Sequence, residues 1–238
     1  MKRLAFLSLA ISGLVLFSSC EKVVGEGPVV TENRAINGFQ SLQVSISGKV
    51  NFKVDPVVSL DLRGQQNVLD VIQTNISGNE LIIKVRDGKR IKGNEDIEIN
   101  ITGPSLQSIH LSGSAELGVT GSLVASTLDL RVSGSGNMLV QETQLSNRLS
   151  ANVSGSGNIK IVSGVGKEEE LKVSGSGNID FTGLQAEKAI TEISGSGNIR
   201  VKLSQALDAH ISGSGSVLYL GNPVISSHIS GSGSVRPI

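Results

Sequence analysis

Apolar and polar residues alternate with period two over most of the second half of the chain. Aligned on the recurrent tetrapeptide Ser-Gly-Ser-Gly, or a close variant of it, the alternation resolves into columns. The residue before the turn is Leu111, Val132, Val153, Val173, Ile193, Ile211 or Ile229. The first residue after it is Leu117, Met138, Ile159, Ile179, Ile199, Val217 or Val235. Two positions further come Val119, Val140, Ile161, Phe181, Val201 and Tyr219, with polar residues such as Lys160, Asp180 and Arg200 between. Period two with many β-branched residues predicts strands that bury one face.

The turns begin at Ser112, Ser133, Ser154, Ser174, Ser194, Ser212 and Ser230, at intervals of 21, 21, 20, 20, 18 and 18 residues. A unit this short cannot bury its own apolar face, so successive units must stack. Equivalent residues then lie one interstrand spacing apart, and seven coils make a column about 34 Å tall. The expected fold is therefore all-β, a parallel β-helix (solenoid) with coils of 18–21 residues. Glycine suits the corner because it takes positive φ without a Cβ clash. Asn137, Asn158, Asn178 and Asn198 follow four of the turns and can form an amide ladder along the stack.

Residues 36–110 are less regular. Leu42, Val44 and Ile46 alternate, as do Val50, Phe52 and Val54, then Leu81, Ile83 and Val85, then Ile97, Ile99 and Ile101. Asn67 to Ile72 is the one helical candidate. These residues are expected to form irregular coils that continue the core and cap its N-terminal edge, with 111–238 as the regular coils.

The N-terminus breaks the pattern and sets the compartment. Lys2 and Arg3 precede a mostly apolar run from Leu4 to Phe17. That run is shorter than the roughly 20 residues a spanning helix needs and reads as a signal peptide over residues 1–19. Phe17-Ser18-Ser19-Cys20 resembles a bacterial lipobox, with Phe17 where leucine is usual. Cys20 is thus the candidate lipidation site. As the chain's only cysteine, it can make no intrachain disulfide. Residues 20–35 are then the lipidated cysteine and a tether. The expected location is the cell envelope, as an outer-membrane lipoprotein held to the membrane through its lipid anchor.

Composition narrows the functions. Without Lys2 and Arg3 the mature chain has 19 basic residues against 21 acidic ones, too few to hold a phosphate backbone, so nucleic acid is not an expected partner. Trp is absent and Tyr occurs once, leaving few platforms for sugar rings, so a polysaccharide-cleaving β-helix enzyme ranks last. The serines are turn residues without an evident base, and no catalytic residue or cofactor is expected. Gly-Ser-Gly-Asn lacks the third glycine of a dinucleotide fingerprint.

His110, His210 and His228 share an outward column with Arg131, Asn152, Lys172 and Glu192. His210 and His228 fall on adjacent coils, the weak candidate for a metal pair, although a third ligand is missing. Lys160, Asp180 and Arg200 form a charge ladder that fixes register, and Lys167 to Glu170 reads as a solvated loop at a corner.

Gly38-Phe39-x-Ser41-Leu42-x-Val44, Asn67-Val68-Leu69-Asp70, Gly103-Pro104-x-Leu106 and the Ser-Gly-Ser-Gly-Asn-Ile turns resemble the head GIN domain family, the "putative autotransporter adhesins" of Bacteroidetes envelopes. The resemblance covers residues 36–238. It implies a right-handed β-helix on a lipoprotein or secreted carrier and carries over no catalytic residues. The expected function is a non-catalytic envelope lipoprotein presenting a β-surface for adhesion or for an envelope or glycan ligand. The alternative is a self-associating envelope scaffold, with a homo-oligomer or partner contact at the open C-terminal coil.

Overall fold

In the computed structural model, residues 20–93 and 97–238 are described. The signal peptide and residues 2–19 of the lipobox argument lie outside them. The strands of the N-terminal half are β1 (Glu21–Val23), β2 (Val29–Asn33), β3 (Ser41–Ile46), β4 (Lys49–Val54), β5 (Ser59–Gln65), β6 (Ile72–Ser77), β7 (Glu80–Val85), β8 (Lys89–Ile91) and β9 (Glu98–Gly103), with one short helix, α1 (Gln66–Leu69). From β10 (Ser108–Gly113) onward the long strands β11 (Glu116–Gly134), β12 (Asn137–Gly155), β13 (Asn158–Val165), β14 (Glu168–Gly175), β15 (Asn178–Gly195) and β16 (Asn198–Gly213) wind round the coils. β17 (Ser216–Gly221), β18 (Val224–Gly231) and β19 (Ser234–Pro237) complete them. The architecture is a β-solenoid of about six turns.

Every pairing from β10 to β19 is parallel, and the columns read from the sequence are its register. Leu111, Val132, Val153, Val173, Ile193, Ile211 and Ile229 are successive Cα partners. So are Leu117, Met138, Ile159, Ile179, Ile199, Val217 and Val235. All but the last coil's members are buried, because each coil is covered on both sides by identical apolar rows.

The two corner glycines are required for different reasons. Gly155 sits at φ 123°, which only glycine adopts without strain. Gly157 has ordinary φ, but a Cβ there would run into the Gly136 carbonyl oxygen of the coil beneath. Positive φ alone therefore does not explain the motif; the second glycine is set by how closely the coils stack. Two carbonyl columns tie the corners together: Ser156 N–H and Gly157 N–H both donate to Gly134 O, at 2.9 and 3.0 Å, and Asn158 N–H donates to Gly136 O at 3.1 Å.

The N-terminal half extends the same columns and then closes them. β3 is parallel to β10 and β7, and β4 is parallel to β11 and β9. Beyond these the direction reverses: β5 is antiparallel to β9 and β2, and β6 is antiparallel to β7. Antiparallel strands and α1, which buries Val68 and Leu69, cover the first coil. Phe39 and Phe52 meet edge-on, centroids 6.2 Å apart, filling the wider core there. The Arg34 guanidinium donates to Leu69 O at 2.9 Å and Ile72 O at 2.6 Å, satisfying carbonyls that the end of the helix leaves open.

Three expectations are corrected. The segment assigned as a tether is built into the fold: β1 is parallel to β8, and β2 joins the main sheet. Asn67 fastens it further, its Nδ2 donating to Val24 O at 2.7 Å and its Oδ1 accepting from Glu26 N–H at 3.0 Å. Composition hid this because two short strands separated by Gly25, Gly27 and Pro28 look like a linker. The helix begins at Gln66 and ends before Ile72, which opens β6, because a β-branched residue pairs better with Val85 than it extends one turn. Lys167 to Glu170 is no solvated loop, since Glu168 opens β14 and Glu169 points into the core.

Candidate functional site

The Asn ladder runs through the corner column. Asn158, Asn178 and Asn198 each donate Nδ2–H to the Oδ1 of the preceding asparagine, at 2.7, 2.8 and 3.0 Å, beginning at Asn137. Asn178 Oδ1 and Asn198 Oδ1 also accept from the backbone N–H of Asn198 and Ser216, both at 3.2 Å. Donor and acceptor capacity is thus used within the stack, and the ladder is a structural device.

The histidine column is exposed. His210 and His228 are Cα partners with ring centroids 6.4 Å apart. Asp208 Oδ1 lies 3.4 Å from His210 Nε2. Among the described residues no three His, Cys, Asp or Glu side chains converge as metal ligands. Next to the pair, Lys172 Nζ donates to Glu192 at 2.7 Å, and that hydrogen bond holds the Lys172 ammonium above its ordinary range. In the neighbouring outward column Lys160 approaches Asp180 at 3.8 Å, whereas Asp180 Oδ1 accepts from the Thr182 hydroxyl at 2.8 Å rather than pairing tightly with Arg200.

Glu169 is the chemical surprise of the core. It lies between Leu149 and Ala189 in a column that continues to Leu128 and Leu207. Neither carboxylate oxygen has a hydrogen-bond partner, and desolvation pushes its pKa well above the ordinary carboxylate range. Burial without a partner disfavours its charged form and makes ionisation costly. The alternation rule would have flagged it, because Glu169 stands two residues before Leu171 on the inward phase.

A cleft of about 1300 Å³ lies where the regular coils meet the N-terminal half. Its walls are the corners Ser45–Lys49 and Ser112–Ser114 and the β1/β8 ribbon, and its floor includes Ile46, Val85, Ile91 and Ile97. Six cationic residues line it, Lys22, Lys49, Arg63, Lys89, Arg90 and Lys92, against the acids Glu98 and Glu116. Lys89 pairs with Glu21, and Arg63 lies 3.9 Å from Glu98. Lys22, Lys49, Arg90 and Lys92 have no ion-pair partner among the described residues. The charged column is the amide ladder continued: Glu98, Lys49, Glu116 and Asn137 are successive Cα partners. Sequence reasoning missed the cleft because its cations come from four separate segments. Cys20, exposed, stands one residue before β1 and two before Lys22 of the lining.

A parallel solenoid with an antiparallel cap at its N-terminal end and a flanking cleft defines the class of protein: a capped β-solenoid. The family described as "Putative auto-transporter adhesin, head GIN domain" matches residues 38–223, and the chain belongs to it. A solved structure of a protein described as a putative adhesin from Bacteroides fragilis superposes with a TM-score of 0.85 at 24% identity, covering 91% of this chain and all of that one. A protein from Parabacteroides distasonis described as a putative lipid binding protein gives 0.72 at 24% identity, over 92% of this chain and all of its own. Another putative adhesin, from Parabacteroides merdae, gives 0.72 at 19% identity, over 92% and 99%. At these identities the likeness shows the fold. No curated protein matches the chain. Among the described residues no helix is long and apolar enough to cross a membrane.

Proposed function

We propose that this is a non-catalytic cell-envelope lipoprotein, anchored through Cys20, whose solenoid presents a surface for adhesion or ligand binding. The observation that carries the reading is a cleft of about 1300 Å³ whose lining begins at Lys22, two residues after Cys20. Family membership among adhesin-like proteins supports it. Two or three acyl chains on Cys20 give a stable anchor, where one alone binds marginally. The Cys20→Ser protein is expected in the soluble fraction or as an unprocessed precursor. Membrane retention equal to that of the unmodified protein rejects the anchor. A screen of residues 21–238 against glycans and envelope proteins tests the binding role.

A second reading, self-association, rests on the last coil. Val224, Ile225 and Ile229 are exposed there, although Ile211, the partner of Ile229 one coil earlier, is buried. Uncovered strands of this kind invite pairing. Mass rising with concentration, and reverting to the monomer in Ile229→Lys, is the expected signature.

A further inference from the structure

We propose that the basic cleft binds phosphate-bearing anions, and that their source is the headgroup layer of the membrane that holds Cys20. Four of its cations, Lys22, Lys49, Arg90 and Lys92, make no ion pair among the described residues, in a mature chain with 19 basic residues against 21 acidic ones. Two of the four are set side by side: Lys22 and Arg90 are Cα partners on the parallel β1/β8 ribbon. Like charges opposed across a ladder destabilise it, and an anion between them reverses that cost. A phosphate suits the pair, taking two parallel N–H bonds from a guanidinium and a point charge from an ammonium. Glu95 and Asp96, outside the described residues, follow Lys92 in sequence. Counting them together with Glu98, Glu116 and Glu21, the partner of Lys89, six cations stand against five acids.

The membrane as source follows from position. Lys22 is two residues from Cys20, at most about 7 Å of extended chain, which is within the screening length of about 8 Å at physiological salt. Val85 and Ile91 offer apolar surface at the same cleft, where the root of a lipid rather than a free anion would gain contact. This part of the proposal rests on Cys20 being the anchor.

The test uses the mature chain carrying Cys20→Ser, so that no attached lipid contributes. It is sedimented with vesicles of phosphatidylglycerol in phosphatidylcholine, with phosphatidylcholine vesicles alone, and titrated separately with inorganic pyrophosphate. Binding to the anionic vesicles is expected, weakening steeply with salt. The combined Lys22→Gln, Lys49→Gln, Arg90→Gln, Lys92→Gln protein is expected to bind about 600-fold less, roughly fivefold for each charge removed, with melting temperature not lowered. Lys160→Gln with Lys202→Gln, on outward columns, is the matched control and is expected to bind within about twofold of the parent by the same per-charge rule. Arg90→Gln alone, expected to lose about fivefold, serves should the fourfold variant not fold. Pyrophosphate binding without vesicle binding overturns the membrane source. Equal binding by the cleft variants, or none by the parent to either probe, overturns the cleft itself. Since no lipid is attached in this experiment, its failure is separate from failure of the anchor, which is read from fractionation of cells.

Discussion

The regular coils and the N-terminal half share their apolar columns and differ in almost everything else. Val44 stacks on Leu111, and Val50 on Leu117, in the register that continues to Ile229 and Val235. Yet the regular half repeats one corner, Gly on Gly and Asn on Asn, whereas the first half changes strand direction and carries inserted segments. The regular corners stack so closely that the Gly157 position cannot accept even a Cβ. The cleft appears where the repeat stops and the β1/β8 ribbon is added. Regularity supplies the scaffold here, and its interruption supplies the candidate site.

The largest effect expected from that contrast is on modularity. Removing Val173 to Glu192 takes out one coil and leaves every column in phase, so the protein should fold with reduced stability. Removing only Val173 to Thr182 places polar residues under apolar ones and should abolish folding. Circular dichroism and thermal melting distinguish the two. Equal unfolding by both deletions would mean that a coil is not an independent stacking unit. The same treatment of the N-terminal half, deleting Glu80 to Gly103, should unfold the protein, because β7 and β9 pair with four other strands in both directions.

A single inward charge comes next. Ile179→Asp buries a carboxylate between Ile159 and Ile199 and is expected to cost about 3–5 kcal/mol. Asp180→Asn, one residue on and facing outward, should change stability by less than about 0.5 kcal/mol. Similar losses of melting temperature in the pair would break the inward and outward assignment.

Glu169 gives a pH-dependent test with a definite sign. Its carboxyl has a higher pKa folded than unfolded. The stability it permits is therefore fully present below the ordinary carboxyl range and is lost as pH rises toward the folded value. Glu169→Gln removes the titration, so its advantage should grow from near zero in acid to about 1–3 kcal/mol near neutrality. A difference that does not vary with pH would show that Glu169 is not held neutral in the core.

The smallest effect concerns the ladder. Asn158→Ala breaks amide bonds to Asn137 and Asn178 and should cost about 1 kcal/mol, without altering vesicle binding, since the ladder is separate from the cleft cations. A loss of binding at unchanged stability would instead connect the ladder to the site.

Much of this was legible in the residues. Period-two columns and a fixed turn interval specify inward and outward faces, and stacking is then forced because one coil cannot cover itself. The lone Cys20 and the asparagines after the turns were equally plain. Three local readings failed for one reason, that their partners are distant in sequence. The supposed tether is ordered by β8 and β5, and the Lys167 to Glu170 loop is a strand because β12 and β15 lie on either side of it.

The sequence by itself determined the repeating unit, its core columns and its corners, since these depend on contacts between equivalent residues of successive coils. Only the tertiary structure decided how the first coil is capped and where the cleft lies. Both depend on Lys22, Lys49, Arg63 and the segment 89–92, which no periodicity relates and which meet only because antiparallel strands fold the N-terminus back across the end of the stack.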